Sequence, residues 1–294
     1  MRDIVWSYGV LVALVTLLVT YGIRIVLRGR ARNSRVDKDG GSLFVAKGFM
    51  EFGYWLMEPI ASALVRLRVT PNQITWGALI PAVAAGIAVA DGRFGLACLL
   101  STVASLGDTL DGIVARRVGT ASDAGEAFDA AADRYVEFFF IGGLVLHYRQ
   151  SLLLCVLSLM TLMGAFLISY STAKAEALRV PPPRGLMRRA ERAIYLSVAA
   201  GLTPFVSALF PNVESPWIHE APMVLAVVLV GVVANASAIS RLSQIMKSIR
   251  VRDAKADVEA DVESEPKAQV VALSIERTSA QPASPQATPA IPRA

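Results

Sequence analysis

Five aspartates fall within residues 107–134, GDTLDGIVARRVGTASDAGEAFDAAADR: Asp108, Asp111, Asp123, Asp129 and Asp133. Asp108 and Asp111 are three residues apart, and Asp129 and Asp133 are four apart. On a helix each pair shares one face. If the two helices are antiparallel neighbours joined by the loop around residues 118–124, the acidic faces meet. Carboxylates gathered at one depth repel strongly unless a cation lies between them, and partial dehydration beside a membrane raises that cost. The spacing therefore predicts an oxygen-donor site for a divalent cation, Mg²⁺, Mn²⁺ or Ca²⁺, of which the first two are the expected cofactors, with room for two ions. Gly112 and Gly125 remove side chains beside the carboxylates and let a ligand or helix approach closely. Arg116 offers a charge suited to phosphate or carboxylate. Asp123 alone reads as a solvated residue.

These residues need elements to hold them, and the composition says which kind. Of 294 residues, 54% are hydrophobic, and the mean hydropathy is +0.50. That balance predicts an all-α polytopic membrane helical bundle. The net charge of +5 carries no aromatic-interleaved basic patch, so it reads as cytoplasmic loop charge rather than nucleic-acid binding. Cys98 and Cys155 lie in apolar runs and read as small buried hydrophobes. His147 and His219 are too far apart in sequence to suggest a His/Cys metal site.

Residues 4–27 form an apolar run long enough to span, followed by Arg28, Arg30, Arg32 and Arg35. This reads as a retained anchor rather than a cleaved signal peptide. Residues 33–42 are a polar linker. Residues 44–68 mix apolar and charged positions around Pro59, which predicts an amphipathic helix along the interface. Thr70 and Pro71 then start a new helix. Apolar segments follow at about 72–90, 94–118, 126–148, 151–177, 190–210 and 222–246. Two of them carry the aspartates at their ends, where a plain hydropathy scan undercounts. Lys and Arg concentrate in alternate loops, which predicts seven spans with the aspartate loop in the cytoplasm. The expected organisation is an anchor and linker over 1–43, a catalytic membrane domain over 44–250, and a disordered cytoplasmic tail over 251–294.

Asp108, Asp111, Gly112, Ala115, Arg116, Gly125, Asp129 and Asp133 together spell D-x2-D-G-x2-A-R-x8-G-x3-D-x3-D. All eight fixed positions resemble the signature of the CDP-alcohol phosphatidyltransferases, and the likeness extends over roughly residues 69–246. The resemblance implies six family helices, here with one extra N-terminal span and the interfacial helix. It implies transfer of a phosphatidyl group from CDP-diacylglycerol to an alcohol with release of CMP, in a homodimer, and here at a bacterial cytoplasmic membrane. Asp108, Asp111 and Asp129 would bind metal, and Asp133 would be the general base while also touching metal. Gly112, Ala115, Arg116 and Gly125 would shape the CDP pocket, with Asn72 and Thr75 reaching the nucleotide or diphosphate.

Residues 169–192, SYSTAKAEALRVPPPRGLMRRAER, resemble the segment of family members that use phosphorylated polyols, through Ser169, Tyr170, Lys174, Glu176, Arg189, Glu191 and Arg192. Lys174, Arg189 and Arg192 are the expected acceptor-binding residues, and inositol phosphate or glycerol 3-phosphate the expected acceptor. The segment departs from that pattern: Thr172 stands where those members often carry lysine, Lys174 where they carry arginine, and Pro181–Pro183 alters the loop. Free inositol, serine or an aminoalcohol therefore stay open as acceptors. A cation transporter would place its acids at mid-membrane on broken, internally repeated helices. Here the acids sit at one edge and no repeat is visible. A non-catalytic scaffold would require Asp133 to be unable to act as a base.

Overall fold

The computed structural model describes residues 2–29, 47–120, 122–181, 187–212 and 215–279. The 33–42 linker, Pro182, Pro183 and the last fifteen positions of the expected tail lie outside the described residues. Among those described there is no strand. The helices are α1 (Arg2–Arg28), α2 (Lys47–Arg66), α3 (Pro71–Ala90), α4 (Phe94–Val118), α5 (Asp123–His147), α6 (Leu152–Ala177), α7 (Arg189–Leu209), α8 (Pro216–His219) and α9 (Ala221–Ser279).

Six of them, α1, α3, α4, α6, α7 and α9, are long and apolar enough to cross a membrane. Helix α5 is 25 residues long and packs in the same bundle, between α3 and α6. Its carboxylates and Arg134 hold down its hydropathy, as the aspartate spacing led one to expect. Helix α2 retains Pro59 within its length. It packs on α4 through Met57 and Ala61 against Leu110, Ile113 and Val114, and Arg117 of α4 pairs with Glu58. Helix α9 continues to Ser279, whereas a disordered tail was expected from residue 251. The segment after Asp253 carries Ala and Glu, which are good helix formers, and its backbone extends the preceding helix through Pro266.

Local signals set the helix ends that frame the aspartates. Thr70 caps α3 in a reciprocal box with Gln73. Gly119, at φ 71°, closes α4 in the left-handed conformation that glycine adopts without strain. Ser122 caps α5 by accepting from the Gly125 amide at 3.2 Å. Only a short turn therefore separates α4 from α5, and it reverses the chain.

Small residues let the helices close up. A Cβ on Gly86 would stand 2.4 Å from the Phe139 carbonyl oxygen, and one on Gly143 would stand 2.3 Å from the Gly86 carbonyl oxygen. The backbones of α3 and α5 are thus in contact, as small residues permit in membrane bundles. Gly107 meets Ala78 in the same way, one residue before Asp108. These crossings fix α3, α4 and α5 as one unit around the acidic faces.

Candidate active site

Asp108, Asp129 and Asp133 each offer an oxygen within 4.8 Å of the others. At an effective dielectric near 20, two unit charges at that separation repel by about 3 kcal/mol. The structure shows two responses to this repulsion. Arg189, at the first turn of α7, donates from Nη2 to Asp108 Oδ2 at 2.5 Å, and its Nη1 pairs with Asp133. Asp129 Oδ1 is buried with no hydrogen-bond partner among the described residues. An orphaned buried carboxylate oxygen beside two further carboxylates is a fitting donor set for a hard divalent cation.

Asp111 stands apart from that trio. It is 5% exposed, and Thr75 Oγ1 donates to its Oδ2 at 2.6 Å. Asp111 remains within electrostatic reach of Asp108 and Asp129. Thr75, expected at the nucleotide, is itself buried and spends its hydroxyl on Asp111 and on the Pro71 carbonyl. It therefore orients a carboxylate instead of reaching into open space. Asn72 is exposed on the first turn of α3, three residues before Thr75.

On α4 the remaining signature residues follow the helix. The Arg116 guanidinium folds back over Gly112, where a Cβ would lie 3.0 Å from its Nη1. Ala115 is half-buried beside it, and Arg116 is exposed. Gly125 lies in the first turn of α5, on the Ser122 cap. Asp123 is exposed, as a solvated residue should be.

A cleft opens at the carboxylates between α3, α4, α5 and α7. Asp108, Asp133, Glu137 and Arg189 supply its charged groups, while Ala82, Ala85, Phe140 and Leu196 line it with apolar surface. Of the three residues expected to bind the acceptor, only Arg189 lines this cleft. Arg192 is 1% exposed and donates from Nε to Glu137 Oε1 at 2.6 Å. Lys174 is exposed near the end of α6, outside the cleft lining.

Two residues enter the site without an expectation attached to them. Arg241 of α9 is 8% exposed, donates to Thr172 Oγ1 at 3.1 Å, and keeps a buried Nε with no partner among the described residues. It lies close enough to Arg192 and Arg188 to feel both charges. In sequence Arg241 reads only as loop charge at a helix end. Glu137 stands four residues after Asp133, continuing the acidic row of α5, and that period was its one visible signal.

The family model for CDP-alcohol phosphatidyltransferase matches residues 68–246. Phosphatidylinositol phosphate synthase of Streptomyces avermitilis is 26% identical over 241 residues, covering 80% of this chain and 93% of the relative. The protein of the same name from Corynebacterium glutamicum is 34% identical over 156 residues, covering 50% of this chain and 70% of the relative. The crystal structure of Mycobacterium tuberculosis phosphatidylinositol phosphate synthase with CDP-DAG bound has a TM-score of 0.57 at 26% identity, covering 65% of this chain and 94% of that one. A second structure of that protein, in complex with manganese and citrate, gives a TM-score of 0.57 with 65% and 90% covered. With the signature carried on two packed helices and the match spanning the bundle, this chain belongs to the CDP-alcohol phosphatidyltransferase family and is an integral membrane enzyme of phospholipid synthesis.

Proposed function

We propose that the enzyme transfers the phosphatidyl group of CDP-diacylglycerol to inositol phosphate, making phosphatidylinositol phosphate and CMP at the cytoplasmic face of a bacterial membrane. The observation that carries this reading is the pairing of an acidic trio with guanidinium groups on the facing helices: Arg189 beside Asp108 and Asp133, and Arg241, Arg192 and Arg188 gathered behind it. The named relatives support the acceptor, since they are phosphatidylinositol phosphate synthases. Neither of these relatives is named for a glycerol 3-phosphate acceptor.

The acceptor hydroxyl oxygen forms a bond to the phosphorus that carries the diacylglycerol. The bridging bond from that phosphorus to the CMP oxygen breaks, and CMP leaves with the bonding pair. Asp108, Asp129 and Asp133 would hold a divalent cation, with Asp111 as a fourth carboxylate nearby, and the bound metal would supply charge neutralisation of the diphosphate and acidify the acceptor hydroxyl. Asp133 lies in the cleft and takes the hydroxyl proton at its carboxylate. Thr75 holds Asp111 in one orientation by its hydrogen bond. Gly112 leaves space beside Asp111, and Arg116 stands over that space to meet a phosphate of the nucleotide. Asn72, Ala115 and Gly125 border the same end of α3, α4 and α5, where the CDP group would sit. Arg189 and Arg241 offer donors to the acceptor phosphate, with Arg192 buried near Arg241 on Glu137. Lys174 extends this basic surface at the end of α6. A homodimer is the expected assembly on family resemblance.

The test is CMP release by the purified protein with CDP-diacylglycerol, Mg²⁺ or Mn²⁺, and inositol phosphate, glycerol 3-phosphate, inositol and serine as separate acceptors. Release with inositol phosphate is expected. Release only with another acceptor overturns the acceptor, and release with none overturns the reaction. Asp133→Asn is expected to abolish turnover while binding of CDP-diacylglycerol remains measurable; full activity in that variant removes Asp133 as the base.

A further inference from the structure

We infer that Glu137 is a specificity-determining residue, accepting a hydrogen bond from a hydroxyl of the acceptor polyol other than the one that attacks. The inference rests on the acceptor reading proposed above.

Four observations lead to it. Glu137 lies in the cleft that also holds Asp108, Asp133 and Arg189, so it faces the space an acceptor must enter. It follows Asp133 by four residues on α5, which places it one helical turn deeper on the same face. Side chains so related have Cβ atoms about 5–6 Å apart, a spacing comparable to the width of a six-membered ring. It is outside the trio that gathers around a metal position, so its carboxylate is not committed to an ion there. Its side chain is 10% exposed, and its pair with Arg192 engages Oε1.

The chemistry of the cleft then sorts the acceptor's groups. An ionised carboxylate accepts hydrogen bonds and donates none. It would repel a phosphate and welcome a hydroxyl. Arg189, in the same cleft, does the reverse. A polyol phosphate brings both kinds of group. With its attacking hydroxyl at Asp133 and its phosphate toward the arginines, another ring hydroxyl falls at Glu137. A site built to bond a hydroxyl rejects an analogue that lacks it, because the polar group is then left buried and unpaired. Ser105 and Ser197 line the same cleft and can serve neighbouring hydroxyls. Arg192 has a positioning role here, since it fixes the Glu137 rotamer from a site that is itself sealed from solvent.

The experiment compares wild type with Glu137→Gln on inositol phosphate and on a set of its monodeoxy analogues. Gln keeps an Oε1 that can still accept from Arg192 Nε, so the fold-bearing contact survives. In wild type, one deoxy analogue is expected to lose roughly tenfold or more in kcat/KM, the size of one hydrogen bond to a charged group. In Glu137→Gln the hydroxyl meets a neutral amide instead of a carboxylate, so the KM for inositol phosphate is expected to rise severalfold, and discrimination against that same analogue to shrink by the same factor. The KM for CDP-diacylglycerol serves as the internal check of folding and is expected to stay within about twofold. Retained discrimination in the variant, or equal rises in both Michaelis constants, overturns the role of Glu137 while leaving the acceptor reading intact. Wild-type turnover with inositol but not with inositol phosphate removes both.

Discussion

Arg189 gives the sharpest test, because it pairs with two of the carboxylates proposed to hold a cation. Its Nη2 is 2.5 Å from Asp108 Oδ2, and its Nη1 pairs with Asp133. A unit positive charge removed from a point about 5 Å from an incoming cation changes the interaction by about 3 kcal/mol per charge at an effective dielectric near 20. The Arg189 side chain is 32% exposed, so water screens part of that. A working value is about 1–2 kcal/mol per cation charge, so about 2–4 kcal/mol for a divalent ion, or a factor of about 30 or more in affinity. Arg189→Ala is therefore expected to bind Mn²⁺ roughly thirtyfold or more tightly in the absence of substrates, since it loses both the repulsion and the competitor for two ligand oxygens. The same substitution removes a charge-assisted donor from the acceptor phosphate, worth about 1.5–3 kcal/mol. Its acceptor KM should rise tenfold or more, and the KM for CDP-diacylglycerol much less. Manganese titration by electron paramagnetic resonance on protein in nanodiscs reads the first effect, and steady-state CMP release reads the second. Weaker or unchanged Mn²⁺ affinity would refute the electrostatic reasoning. An unchanged acceptor KM would refute the phosphate role.

Two further substitutions probe the frame around the carboxylates. Thr75→Val keeps the shape but leaves Asp111 buried without its 2.6 Å donor, at a cost of about 1–3 kcal/mol; a lower thermal midpoint with reduced turnover is expected, and wild-type stability with full activity would show that the bond is dispensable. Gly86→Ala would press a Cβ to 2.4 Å from the Phe139 carbonyl oxygen, so α3 and α5 must part; a loss of about 1–3 kcal/mol in stability is expected from such overpacking, and an unchanged melting profile would contradict the close crossing.

Much of this site was legible in the chain itself. The three- and four-residue gaps between Asp108 and Asp111 and between Asp129 and Asp133 fix helix faces, since the helical period is a property of the backbone alone. Thr70 and Pro71 announced the start of α3, and the loop around residues 118–124 the turn between the two acidic helices; the structure closes that turn with Gly119 and Ser122. The α5 helix was legible too, although its charges hide it from hydropathy. Composition predicts disorder from residue 251, while the backbone of α9 runs helical to Ser279.

What the sequence by itself determined was the set of groups carried on each helix: which acids share a face, where each helix begins, and how apolar the rest must be to sit in lipid. What only the tertiary structure decided was which groups meet. Thr75 reaches Asp111 across 36 residues, Arg189 reaches Asp108 across 81, Arg192 reaches Glu137 across 55, and Arg241 reaches Thr172 across 69. No local period encodes those distances. They follow from how closely Gly86, Gly107 and Gly143 let α3, α4 and α5 approach, and from where α7 and α9 then pack, so that Arg189 faces the carboxylates and Arg192 is sealed behind them.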